Sequence, residues 1–227
     1  MAKEKKQQTA IDEVLVENAS KTEKFFSKHK KLITWGAVII LIVVGGYFVN
    51  KYFFELPRQR KASEEMFAAI QHFNAQEFQV ALEGDGNNAG FLDIVSEYDG
   101  TPQASLAAHY AGVCYYNLGD SLRSEALSYL TKYEATSGAP AEVINAQNLG
   151  LQADIYVDNG DLNKAASLYR EAINACKGNA LTTPIYLKKL GLVEEALGNK
   201  QAALEAFQRA YNEYGMREVE PFIGRLQ

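Results

Sequence analysis

The chain has 227 residues, enough for one globular domain and an appendage, and its net charge of −5 is unevenly distributed. Residues 1–61 contain 12 Lys and Arg against 6 Asp and Glu, whereas residues 62–227 contain 11 against 22. The larger part of the chain is therefore acidic. Because an acidic surface repels phosphate backbones, nucleic acid is excluded as an expected partner.

An apolar stretch near the start predicts a transmembrane helix. Leu32–Val49 is 18 residues long and carries no charge, and Trp35, Tyr47 and Tyr52 lie near its ends, as in the aromatic belts of membrane proteins. A cleaved signal peptide is not favoured, because 31 residues precede the stretch and no small-residue cleavage site follows it. We therefore expect an anchor over 32–54 and a linker over 55–61.

The basic residues around this stretch predict its orientation. Five Lys lie close before it and four Lys or Arg lie after it, which is nearly balanced. The tighter cluster, Lys28–Lys31, adjoins the apolar residues directly. It favours a cytoplasmic N-terminus and a periplasmic C-terminal domain, and hence a single-pass protein of the inner membrane.

Residues 1–31 are expected to be a cytoplasmic tail that is partly helical. Apolar residues recur there at three- and four-residue spacing, which is typical of one helix face: Ile11, Val14, Leu15, Ala19, Phe25 and Phe26. Two interpretations stay open. The tail either lies on the membrane or a partner subunit, or it only extends the anchor.

Residues 62–227 are predicted to form an all-helical domain. A degenerate helix pair comes first and ends at a turn, Gly84–Gly90, where glycine and asparagine are concentrated. The turn faintly resembles a calcium loop. Ala89 and Ser96 stand where that loop needs oxygen ligands, so we expect a turn without a metal.

Internal repetition then determines the predicted fold. Gly119-Asp120, Gly160-Asp161 and Gly198-Asn199 each separate two helical stretches, at spacings of 41 and 38 residues. Small and aromatic residues recur around each glycine, as at the packing positions of tetratricopeptide repeats (TPRs): Gly112, Tyr115, Ala126 and Leu130; Ala153, Tyr156, Ala165 and Tyr169; Gly191, Ala203, Phe207 and Ala210. We expect repeats over 105–138, 146–179 and 184–217. The predicted fold is all-α, with a single transmembrane helix followed by a TPR-like helical solenoid.

Several short motifs along the chain resemble a known family. They are the Lys-rich tail and anchor, Ala81–Gly86, Gly90–Ile94, Glu97–Thr101, Tyr115–Gly119 and Thr183–Leu187. Together they are similar to YfgM-type TPR-like proteins, single-pass ancillary partners of the Sec translocon, in versions common in Bacteroidota. The resemblance implies protein partners: translocon subunits, a periplasmic chaperone or exported chains.

The TPR resemblance also implies a binding surface. In that family the contact side chains come from fixed positions on the first helix of each pair, which line the inner, concave wall. The matching positions include Leu106, Gln147 and Ile185. The candidate protein-binding residues are His109, Val113, Tyr116, Asn117, Asp154, Val157, Asp158, Lys188, Leu192 and Glu195.

No pattern in the sequence indicates catalysis. The three histidines are far apart, and the adjacent pair Glu194-Glu195 points in different directions on a helix. Cys114 and Cys176 are interpreted as unpaired structural thiols. We expect no enzyme, cofactor, metal or small-molecule substrate.

Two functions remain open at this stage. The chain is either an accessory to Sec-dependent export or periplasmic chaperoning, or a structural scaffold of another envelope complex, such as one for division or outer-membrane biogenesis, without client binding.

Overall fold

The computed structural model describes residues 28–138 and 140–227, which divide into two compact units at Pro57. Most of the predicted tail, residues 1–27, lies outside the described residues. The first unit contains helix α1, described over residues 28–49, and a π-helical turn, Asn50–Glu55. Among the described residues, one helical stretch near the N-terminus is long and apolar enough to cross a membrane. Two of its large side chains, Leu41 and Phe53, are more than two-thirds exposed in the protein alone.

The second unit, Arg58–Gln227, contains ten helices among its described residues. They are α2 (Leu56–Asn74), α3 (Phe78–Glu83), α4 (Phe91–Glu97), α5 (Pro102–Leu118), α6 (Arg123–Leu130), α7 (Ala141–Asp158), α8 (Leu162–Ala175), α9 (Thr183–Ala196), α10 (Lys200–Tyr214) and α11 (Glu220–Leu226). Two short 3-10 helices, Asp120–Leu122 and Arg217–Val219, precede α6 and α11. The all-α prediction is confirmed.

Residues 55–61, expected to be a linker, are helical. Glu55 ends the π-helical turn and α2 begins at the next residue. Pro57 is the second residue of α2 and directly follows the junction at which the hydrogen-bonding pattern changes from that of the π-helical turn to that of an α-helix.

Three helix pairs make up most of the second unit. Helices α5 and α6, α7 and α8, and α9 and α10 pack against each other, and α9 also packs on α8. These pairs fall in the three predicted repeats, although α5 begins three residues before residue 105 and α7 begins five residues before residue 146. The glycines predicted as turn residues lie between the helices of each pair, and Gly160 and Gly198 have the positive φ angles that favour glycine.

Glycines bring the two helices of a pair close together. A Cβ atom on Gly191 of α9 would lie 2.5 Å from Cε1 of Phe207 on α10, and one on Gly112 of α5 would lie 2.6 Å from Cγ of Leu130 on α6. Phe207 and Leu130 are fully buried. The small and large residues that predicted the repeats therefore contact each other across two of the three pairs.

The interior consists of two large apolar clusters and a small one. The first joins α2 to α5 and includes Phe91, whose ring stacks on that of Tyr110 at 5.2 Å between centroids. The second joins α7 to α11 and includes Phe207. Between them lies a cluster of three buried residues, Ala126, Leu130 and Ile155.

Candidate protein-binding surface

Helices α5, α7 and α9 carry all the candidate binding residues. We call the face formed by these candidate residues the A-helix wall. Two side-chain contacts join its helices in sequence. Asn148 of α7 lies 3.2 Å from Nδ1 of His109 on α5, and Lys189 of α9 donates to Asp154 of α7 at 2.6 Å. These contacts hold together the three helices that carry the candidate residues.

His109 differs from the other candidates because it lies in the interior. Only 4% of its surface is exposed, and its ring contacts those of Tyr110 and Tyr133. Burial lowers the pKa of His109 to about 4, so the imidazole is neutral near pH 7. In this structure His109 packs α5 against α7 and offers no surface to a partner.

Tyr116 and Asp158 are brought together by Arg123, which is not among the candidate residues predicted from the sequence. The guanidinium of Arg123 lies 3.6 Å from the ring centroid of Tyr116 and donates to the carbonyl oxygen of the same residue. It also donates to Asp158 at 3.3 Å and to Asp120 at 2.8 Å. Arg123 begins α6, and nothing in its local sequence indicates that it reaches α7.

The remaining charged candidates also have partners within the chain. Besides Lys189, Asp154 accepts a hydrogen bond from the hydroxyl of Tyr169 at 2.5 Å. Lys188 donates to Glu218 at 2.8 Å, and Arg225 of α11 donates to Glu195 at 2.5 Å. Neither Lys189 nor Arg225 is among the candidate residues predicted from the sequence. Four carboxylates of this region therefore each face a cation: Asp154, Asp158, Glu195 and Glu218.

The uncharged candidates leave apolar surface between these ion pairs. Leu192 is 39% exposed and Ile185, seven residues earlier on the same face of α9, is 45% exposed. Val113 and Val157 are half-buried, and Asn117 is exposed with its side chain donating to the carbonyl of Val113 at 2.8 Å. The wall thus combines internally neutralised charges with exposed aliphatic groups.

Residues 142–212, which span α7 to α10, match the tetratricopeptide repeat family. The fold is TPR-like. Solved structures with similar folds include a crystal structure of MamA protein, with a TM-score of 0.55 and 16% identity over 73% of this chain and 80% of that chain. A second crystal structure of MamA has a TM-score of 0.49 and 19% identity over 65% of this chain and 80% of that chain. A comparison with curated protein sequences finds no match.

The first of these likenesses shows the fold, and TPR folds typically bind proteins without catalysing reactions. Within residues 28–138 and 140–227, no group of three His, Cys, Asp or Glu side chains is placed to hold a metal ion. Cys114 and Cys176 are buried and free, and burial raises the pKa of Cys114 to about 12.

Proposed function

We propose that the second unit binds other proteins through the A-helix wall. The observation that carries this proposal is the exposure of Ile185 and Leu192 on the first helix of a TPR pair, in a region whose charges are already paired. Exposed aliphatic groups lose contact with water when a partner covers them. Since the neighbouring ion pairs are satisfied, a partner needs to supply few compensating charges.

The wall is suited to weak, exchangeable binding. Tight interfaces concentrate their affinity in a few fully buried aromatic or arginine side chains. Here Tyr116 is already covered by Arg123, and the exposed groups are aliphatic. We therefore infer that partners associate and dissociate readily, as clients of a chaperone or subunits of a transient complex do.

We also propose that Leu32–Phe54 anchors the protein in the inner membrane, with the N-terminus in the cytoplasm and the second unit in the periplasm. The apolar side chains of α1 support the anchor, and the Lys28–Lys31 cluster supports the orientation. A membrane-impermeant maleimide applied to spheroplasts tests the orientation. It is expected to label Asn87→Cys and not Lys5→Cys, and the reverse pattern would contradict the proposal. The native cysteines are buried and give little background.

The cellular role we favour is an accessory to Sec-dependent export or periplasmic chaperoning. The resemblance to ancillary translocon partners supports it, together with the anchor and the protein-binding fold. The alternative is a scaffold for another envelope complex that binds no clients. Both roles need the same wall and anchor, so the identity of the partner distinguishes them.

Site-specific photo-crosslinking tests the wall and the role separately. A benzophenone amino acid at Leu192 is expected to capture proteins that the same probe at Lys164, exposed on α8, does not capture. Identical products from both positions would contradict the wall. A probe at Phe25 in the tail is expected to capture a translocon subunit. Capture of another envelope complex, without any Sec component, would favour the scaffold.

A further inference from the structure

A single imidazole connects three consecutive segments at the start of the second unit. His72 lies in the last turn of α2, Glu77 directly precedes α3, and Asp85 lies in the turn Gly84–Gly90 between α3 and α4. Nδ1 of His72 is 2.6 Å from Oε2 of Glu77, and Nε2 is 3.6 Å from Oδ2 of Asp85. Each ring nitrogen therefore faces a carboxylate.

This arrangement depends on the protonation of His72. A neutral imidazole has one N–H, whereas the imidazolium ion has two. Only the charged ring can present an N–H to both carboxylates. When the proton leaves, the shorter contact with Glu77 retains the remaining N–H on Nδ1, and the lone pair of Nε2 then faces Asp85. The attraction to Asp85 is lost first.

The turn that carries Asp85 holds its shape without His72. Oδ1 of Asp85 accepts hydrogen bonds from the backbone N–H groups of Asn87 and Asn88 at 2.8 and 2.7 Å, and Oδ2 accepts from the side chain of Asn88. The backbones at the two ends are also close, since a Cβ atom on Gly90 would lie 2.4 Å from the nitrogen of Gly84. The shape of the turn is therefore set by its own bonds, and the contact with His72 adds only its attachment to the end of α2.

We propose that His72, Glu77 and Asp85 form a pH-sensitive contact that holds the turn Gly84–Gly90 against the end of α2 when the imidazole is charged and releases it when the imidazole is neutral. Among the described residues, the charged groups that face His72 are Glu77 from the start of α3 and Asp85 from the turn.

The direction of the pH dependence follows from these neighbours. Glu77, and more weakly Asp85, raise the pKa of His72 above its ordinary value of 6.5 against a smaller opposing effect of burial. The bonds from Asn88 and Asn87 hold the pKa of Asp85 well below its usual range, so its charge is constant near neutrality. The contact is complete below about pH 6.5 and is lost as the pH rises through the pKa of the folded state.

A distance measurement in the full-length protein tests the contact. Spin labels are placed at Gln71→Cys on α2 and Asn87→Cys in the turn, both at exposed positions, and the protein is kept in detergent micelles. We expect one narrow distance at about pH 6 and loss of that narrow population at about pH 9. A distribution that is the same at both pH values, whether narrow or broad, would overturn the proposal.

Three variants identify the groups responsible. Asp85→Asn keeps an oxygen for the backbone bonds of the turn but removes the charge, and it is expected to give a broad distribution at both pH values. His72→Gln is expected to do the same. His109→Gln removes the buried histidine of α5 and should keep the narrow-to-broad change with pH, although it lowers the stability of the domain near pH 7. A narrow-to-broad change that persists in His72→Gln would assign the pH dependence to another group and contradict the contact.

Discussion

Tyr186 of α9 lies directly against the backbone of Gly150 on α7, so that a Cβ atom on Gly150 would fall 2.1 Å from Cε1 of the tyrosine ring. Tyr186 is 7% exposed and its ring also stacks near that of Tyr169. The ring has little room to move. Gly150→Ala is therefore expected to lower the free energy of unfolding by about 1–3 kcal/mol, as overpacking in a core does. Urea unfolding followed by circular dichroism measures the change.

A second helical glycine is the control for this substitution. Gly224 of α11 has no atom within 4 Å of the position of a Cβ. Because alanine favours helix over glycine by up to about 1 kcal/mol, Gly224→Ala is expected to leave the free energy of unfolding unchanged or to raise it slightly. Equal losses at both positions would mean that Tyr186 does not pack on Gly150 as described.

The second unit is expected to fold without the first. Its buried apolar residues contact one another within Arg58–Gln227, in the clusters that join α2 to α5 and α7 to α11. A fragment of these residues should be soluble and mostly helical by far-ultraviolet circular dichroism. A fragment that aggregates, or that has little helix, would show that the first unit contributes to its core.

Stability of this fragment is expected to decrease in acid because of His109. Its pKa is about 4 in the folded state and 6.5 in the unfolded chain, so the unfolded chain binds more protons between these values. The free energy of unfolding should therefore fall by about 3 kcal/mol as the pH decreases from about 6.5 to about 4.

Carboxylates titrate in the same range, so the measurement compares the parent with His109→Gln at each pH. Shared carboxylate effects cancel in the difference. The variant is expected to be less stable near pH 7 but to lose less stability in acid. A difference between the two proteins that is constant over this pH range would contradict the buried, neutral histidine.

Two arginine ion pairs are expected to differ in their contribution to stability. Arg170 of α8 donates to Glu194 of α9, whose side chain is 2% exposed and also accepts from Asn199 at 2.7 Å. Removing Arg170 leaves a buried carboxylate with one partner, so Arg170→Ala should cost about 1–3 kcal/mol. Arg209→Ala removes only an exposed pair with Glu213 and should cost less than about 0.5 kcal/mol. Similar losses would mean that Glu194 is solvated.

The helical repeats could be predicted from the sequence because their signals are local. Gly160 and Gly198 need positive φ angles, and the small residue at Gly191 matches the large Phe207 sixteen residues later. Such patterns depend on helix geometry alone. The helical conformation of residues 55–61 could not be predicted, because Pro57 resembles a break between two elements in the sequence, and the boundary between the two units does fall at this residue.

The polar partners of the A-helix wall could not be predicted in the same way. Arg123 reaches Asp158 across 35 residues, and Lys189 reaches Asp154 over the same separation. Which of Lys188 and Lys189 turns toward α7 depends on the rotation of α9 about its axis. That rotation is set by packing between repeats. The spacing of residues within one repeat carries no information about it.

The division of the interior into two large clusters has a consequence for how the domain unfolds. Only Ala126, Leu130 and Ile155 form the buried cluster between them, and α6 and α7 otherwise share few contacts. In repeat proteins, cooperativity passes between neighbours through such interfaces. A weak interface allows helices α2 to α5 to unfold while helices α7 to α11 stay folded. A protease or an unfoldase acting on α2 to α5 would then leave α7 to α11 as a stable fragment that folds by itself.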